Sequence, residues 1–148
     1  MAVASRLQWT EHALRVLGAE GHRRARAREA LIDLLGSERC ALSAFEVEER
    51  LRADGRPVAR ASVYRILELL VELRLVGRLE LGDGIVRYER IDPAGEHHHH
   101  LVCDVCGQLV PFDDRGLERS IDRLSERLGF RADAHEVVLH GACGTCRD

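Results

Sequence analysis

The 148-residue chain contains no lysine: all 22 of its basic residues are Arg, which reflects coding composition more than function. Long apolar runs are missing too. None approaches the roughly 20 residues of a membrane-spanning helix, so no membrane partner is expected. The opening MAVASRLQWTEHA lacks the basic segment, apolar core and cleavage site of a secretory signal, and a cytoplasmic location is the expectation. No HExxH or equivalent hydrolase motif appears, leaving a metallohydrolase or a metal-storage protein as weak alternatives. A strong charge is absent as well; the net is −3.

The distribution of charge says more than its sum. Residues 1–92 carry 16 Arg against 15 acidic residues, whereas 93–148 carry 6 against 10. Arg23, Arg24, Arg26 and Arg28 crowd into GHRRARAR, and such a cluster sets a local field suited to phosphate, although Arg runs also form ordinary solvated helix faces. The five cysteines are an odd number for a disulfide scaffold. Two CxxC pairs point to metal instead.

Helical periodicity runs over Gln8–Leu17 and Ala27–Leu35. Ser43 and Glu46 form a capping box that opens a third helix, Ala44 to Ala53. SVYRILELLVELRLV reads as a fourth, beginning near Ala61 or Ser62. Leu79 and Leu81, the turn Gly82-Asp83-Gly84 and the return from Ile85 to Glu89 make a hairpin. Short helices followed by a hairpin predict a winged helix-turn-helix over 1–92, whose recognition helix would enter the major groove. A hinge is expected at 93–96. From 97 to 148, LVCDVCGQLVPF reads as strand, turn, strand; Leu117–Leu128 as a helix; and Glu136–His140 as a strand. The predicted class is α+β, with a C-terminal α/β domain too small to bury much alone and therefore expected to dimerise.

Cys103, Cys106, Cys143 and Cys146 form two knuckles that suit one closed tetrahedral Zn²⁺ site, a structural rather than catalytic role. The tetrad His97–His100 is a separate problem. In an extended segment His98 and His100 point one way, His97 and His99 the other, so two nitrogen-rich sites back to back are expected. Glu89, Glu118 and His135 lie beside elements that could reach the tetrad, although salt bridges or plain exposure would also explain them.

The chain resembles the ferric uptake regulator family over about residues 20–146. The resemblance rests on SVYRILELL against the family's (T/S)VYR recognition helix, on HHHHLVCDVCG against HHxHxxCxxCG, and on the closing CxxC. It implies a homodimeric, metal-dependent repressor of metal-uptake genes, acting on a palindromic double-stranded DNA operator. It also implies structural Zn²⁺ at the four cysteines and a second site of His97, His99, Glu118 and His135. Glu89, His98 and His100 match a regulatory site for Fe²⁺, Zn²⁺ or Mn²⁺, with Cys40 and Glu80 as candidates for its remaining ligand. Ser62, Tyr64 and Arg65 correspond to the DNA-reading segment, and Arg28 to an arginine common in the family. Ala41 stands where iron and peroxide sensors supply a histidine, and Pro111 where peroxide sensors offer an Asp. Ile91 and Gly77 occupy positions where actinobacterial zinc sensors hold ligands. Glu89 favours an iron-uptake type; the four histidines favour a zinc uptake regulator.

Overall fold

The computed structural model describes residues 2–95 and 97–147, with side chains from residue 6 onward. Glu96, the last residue of the expected hinge, lies outside the described residues, as do Met1 and Asp148 at the ends of the expected domains. The chain forms two compact units, Met1–Glu96 and His97–Asp148.

The first unit contains α1 (Ala2–Ala19), α2 (Arg26–Ser37), β1 (Leu42–Ser43), α3 (Ala44–Ala53), α4 (Arg60–Glu72), β2 (Val76–Glu80) and β3 (Val86–Arg90). Its antiparallel sheet has the order β1-β3-β2. This is a winged helix: β2 and β3 are the wing, and α4 follows α3 as the second helix of the helix-turn-helix. The helices meet through one apolar cluster that includes Trp9, Leu31, Leu35, Val47, Leu51, Val63, Leu67 and Leu70. Trp9 satisfies its indole N–H on the Leu75 carbonyl at 3.1 Å, which ties α1 to the end of α4. At the wing tip Gly82 and Gly84 take φ of 84° and 76°, and the Asp83 carboxylate pairs with Arg87 at 2.7 Å.

Several boundaries differ from the sequence reading, the following among them. α1 begins well before Gln8. α4 stops at Glu72 instead of running on to Val76, because Arg74 takes a left-handed φ of 56° and the Leu75 N–H closes on the Leu70 carbonyl. The last strand is shifted to Val138–Gly141.

The second unit contains β4 (His99–Cys103), β5 (Leu109–Phe112), α5 (Arg115–Arg127) and β6 (Val138–Gly141). The order is β5-β4-β6, with β5 antiparallel and β6 parallel to the central strand. Little apolar surface is enclosed. Val102 and Cys103 are its buried apolar residues among those described, and α5 buries none of its side chains. Leu101, Val110 and Leu139 lie opposite one another across the three strands and remain exposed, as do Leu124, Leu128 and Phe130. Among the described residues, no helix is long and apolar enough to cross a membrane.

Candidate metal centres and nucleic-acid interface

β4 ends in the first cysteine knuckle. Cys103, Cys106, Cys143 and Cys146 bring their sulfurs together at the point where β4 and β6 run side by side. Cys106 Sγ and Cys143 Sγ are 3.8 Å apart, far longer than a disulfide. That separation equals the edge of about 3.8 Å in a tetrahedron with Zn–S bonds of about 2.3 Å. The backbone N–H of Cys143 donates to Cys103 Sγ at 3.3 Å and, with the N–H of Cys106, pulls that thiol down to about 6. Hydrogen bonds to the Cys143 and Cys106 sulfurs push Cys146 up to about 12. Four sulfurs this close cannot all ionise without a cation among them. The donor set fits a closed thiolate site.

The histidine rings divide into two pairs, as strand alternation requires. His98 and His100 have ring centroids 5.0 Å apart, and His97 and His99 5.1 Å. Beside the second pair, α5 supplies Glu118 from its first turn and the segment before β6 supplies His135. His99 Nε2 lies 2.7 Å from Glu118 Oε1, and His135 Nε2 lies 2.9 Å from Glu118 Oε2. His97 Nε2 is 3.2 Å from His135 Nε2 and 3.5 Å from Glu118 Oε2. The hydrogen bond from His99, with the neighbouring imidazoles, holds the Glu118 carboxyl below its ordinary range. Nitrogen and carboxylate donors converging in this way suit a divalent ion of borderline character.

Glu89 sits on β3, paired with Gly77. Cys40 lies near enough to Glu89 that burial, then that negative charge, pushes its thiol up to about 11. Glu80 is a correction: it pairs with Val86, three residues along β2 from Gly77, so alternation turns it to the opposite face of the wing from Glu89. Among the described residues, neither Cys40 nor Glu80 belongs to a cluster of three potential ligands.

On the first unit, Tyr64 and Arg65 are exposed on α4, and Arg65 donates to Ser62 Oγ at 3.0 Å. Arg28 and His22 line one cleft with Ser62 and Arg65, which brings the start of α2 to the start of α4. Both helices begin at an alanine, Ala25 and Ala59, with no side-chain cap, so their first N–H groups are free of competing acceptors from a cap. α3 and α5 are capped by Ser43 and Asp114. Arg24 is paired with Glu29 at 2.6 Å, and Arg28 holds the Arg23 carbonyl at 2.7 Å; Arg23 and Arg26 are exposed. His22 and the two uncapped helix starts were missed by sequence reasoning. The missing Ser, Thr, Asp or Asn before α2 and α4 was the available signal.

Residues 19–140 match the model of the ferric uptake regulator family. This chain belongs to that family. The ferric uptake regulation protein of Bacillus subtilis is 36% identical over 121 residues, covering 80% of this chain and 81% of its own. Among solved structures, the ferric uptake regulator of Francisella tularensis with iron is 27% identical, with a TM-score of 0.73 over 86% of this chain and 96% of that one. The Helicobacter pylori ferric uptake regulator has a TM-score of 0.82 over 97% and 94%, at 24% identity. As a ferric uptake regulator family member, the chain is a metal-dependent transcriptional regulator of the kind that represses metal-uptake genes, and not an enzyme. Its homodimeric, DNA-binding character is that of the family.

Proposed function

We propose that this regulator is of the iron-uptake type: a homodimer that binds a palindromic operator when a divalent ion is bound and releases it when the ion is lost. The convergence of His97, His99, Glu118 and His135 beside a separate four-cysteine cluster carries the reading, since it separates an exchangeable nitrogen–oxygen centre from a closed sulfur one. Cys103, Cys106, Cys143 and Cys146 hold structural Zn²⁺. Glu89, His98 and His100 are proposed as ligands of the regulatory ion, with Cys40 as the further candidate. The bound ion supplies coordinate bonds that restrict the expected hinge between domains 1–92 and 97–148. The Bacillus relative's name and the iron of the Francisella structure favour Fe²⁺. Zinc uptake regulation is the second reading, favoured by the four consecutive histidines His97 to His100.

The exposed apolar stripe of Leu101, Val110 and Leu139, with Leu124 and Leu128 of α5, supports dimerisation through the second unit. On DNA, Tyr64 makes apolar contact with a thymine methyl and Arg65 reaches base or phosphate. Arg28, with the uncapped starts of α2 and α4, grips phosphate, while Arg23, Arg24 and Arg26 neutralise the backbone. Restricting the two reading heads to one spacing favours the operator complex by about 1–3 kcal/mol per coupled site. The test is operator binding against free Fe²⁺, Mn²⁺ and Zn²⁺ with the sulfur-bound zinc retained. Equal affinity with and without the exchangeable ion overturns the proposal; a response to Zn²⁺ alone selects the second reading.

A further inference from the structure

We infer that Arg60 reads a guanine in each operator half-site, and that Glu48 is the positioning residue that aims it. The inference rests on the reading of α4 as the helix that enters the major groove, and adds a specificity-determining pair to it.

Arg60 is the first residue of α4, next to the uncapped Ala59. In a helix-turn-helix the N-terminal residues of the second helix are the ones that meet base edges. Tyr64 lies one turn further along the same row of the helix and is 48% exposed. Arg60 is nevertheless held in place. Its Nε donates to Glu48 Oε2 at 2.8 Å, while the arginine side chain as a whole stays 63% exposed. Glu48 belongs to the buried set of α3, with Ala44, Val47 and Leu51. Its other carboxylate oxygen, Oε1, accepts from Arg52, one turn along the same helix, at 3.1 Å. Both oxygens of a buried carboxylate are thus engaged, and the group is a fixed anchor between the two helices of the motif.

Anchoring through Nε has a chemical consequence. The guanidinium is planar, with its two terminal amino groups forming the edge farthest from the chain. Holding Nε fixes the plane and leaves that edge to face outward. Two parallel N–H groups presented end-on match the O6 and N7 acceptors of guanine, the commonest specific contact of arginine in the major groove. The nearby carboxylate disfavours the other common use of an arginine. A phosphate approaching Arg60 would also approach Glu48, whose like charge cancels much of the attraction. Guanine carries no net charge and meets only the aligned donors. Ordering the side chain before DNA arrives also removes part of the entropy loss that a freely rotating arginine would suffer on binding.

For the test, full-length protein with its sulfur-bound zinc retained is loaded with Mn²⁺ or, in parallel, Zn²⁺, and selects sites from random-sequence duplex DNA. Wild type is expected to select a guanine in each half-site that Arg60→Ala no longer selects, with the other positions unchanged. In fluorescence anisotropy on duplexes differing at that base pair, Arg60→Ala should lose roughly 5- to 150-fold of the preference for guanine. Arg60→Gln, whose amide can still donate to Glu48, should lose the same preference, which guards against a folding defect in the alanine variant. 7-Deazaguanine, which lacks the N7 acceptor, should weaken wild type and leave Arg60→Ala unaffected. Glu48→Gln, with Arg60 intact, should lose part of the preference; an undiminished preference overturns the role given to Glu48. Selection by Arg60→Ala of the wild-type site at every position overturns the assignment of Arg60. So does weakening that is uniform across sequences with a salt slope reduced by about one, the mark of a phosphate contact. Both results leave the regulator reading standing. Enrichment of no sequence by metal-loaded wild type overturns the DNA-binding reading itself, and the assignment with it.

Discussion

The substitution Cys143→Ser separates the two units energetically. In the second unit Val102 and Cys103 are the buried apolar side chains among the described residues. Their burial is worth on the order of 4 kcal/mol together. Ordering the backbone costs about 1–2 kcal/mol per residue, so this unit has far too little buried surface to stay folded by itself. Binding of structural Zn²⁺ is worth about 10–16 kcal/mol in small domains and outweighs the apolar contribution. With the proposed Zn²⁺ in place, loss of one of the four sulfurs removes the largest single source of stability in residues 97–148. The first unit has its own cluster from Trp9 to Tyr88 and is expected to keep its fold. Hydrogen exchange read by mass spectrometry should show β4 and β6 losing protection in Cys143→Ser while α2 and α4 keep theirs. Size exclusion should show the dimer lost at the same time. Wild-type protection of β4 and β6 in the variant, or in chelator-stripped protein, would refute the reasoning.

Leu67→Ala, at the centre of the first core, should cost about 2–5 kcal/mol and lower the melting temperature of that unit without altering zinc content. Replacing Leu124 and Leu128 with Arg should yield a folded monomer in sedimentation, because neither side chain is buried within the chain. Glu48 is bonded by Arg60 at 2.8 Å and by Arg52 at 3.1 Å, and the bond to Arg60 holds its carboxyl below the usual range. A depressed folded value contributes stability above the ordinary carboxylate value, and that contribution is lost as pH falls through the folded one. Glu48→Gln should accordingly melt earlier than wild type at pH 7, with the difference closing in acid. Tyr64→Ala should weaken operator binding by about 1–3 kcal/mol and relax preference at one thymine, read by fluorescence anisotropy on operator variants.

Local signals in the sequence were read well where the chemistry is local. The capping box at Ser43 and Glu46 is present, with the Glu46 N–H reaching Ser43 Oγ at 3.1 Å and the Ser43 N–H reaching the Glu46 carboxylate at 2.8 Å. The end of α4 was illegible for a definable reason. α1, α3 and α5 close with Gly21, Gly55 and Gly129 in left-handed backbone, a stop that can be read from sequence. α4 makes the same closure at Arg74, so no glycine marked it and the helical pattern seemed to continue. Strand alternation sorted the four histidines, because a period of two needs no partner to be known. The contact of the Val137 N–H with His99 Nδ1 could not be read in that way, because the parallel register of β4 and β6 that brings Val137 alongside is visible only in tertiary structure.

That central strand has one more implication. β4 starts at His99 and finishes at Cys103, so the nitrogen centre and the sulfur centre hang from opposite ends of a five-residue rod, about 13 Å from tip to tip at the usual rise per residue. Filling should therefore be sequential: thiolates first, which straightens the rod, and imidazoles second, on a scaffold already stiff. A cell short of zinc would then hold a regulator unable to report on any other metal.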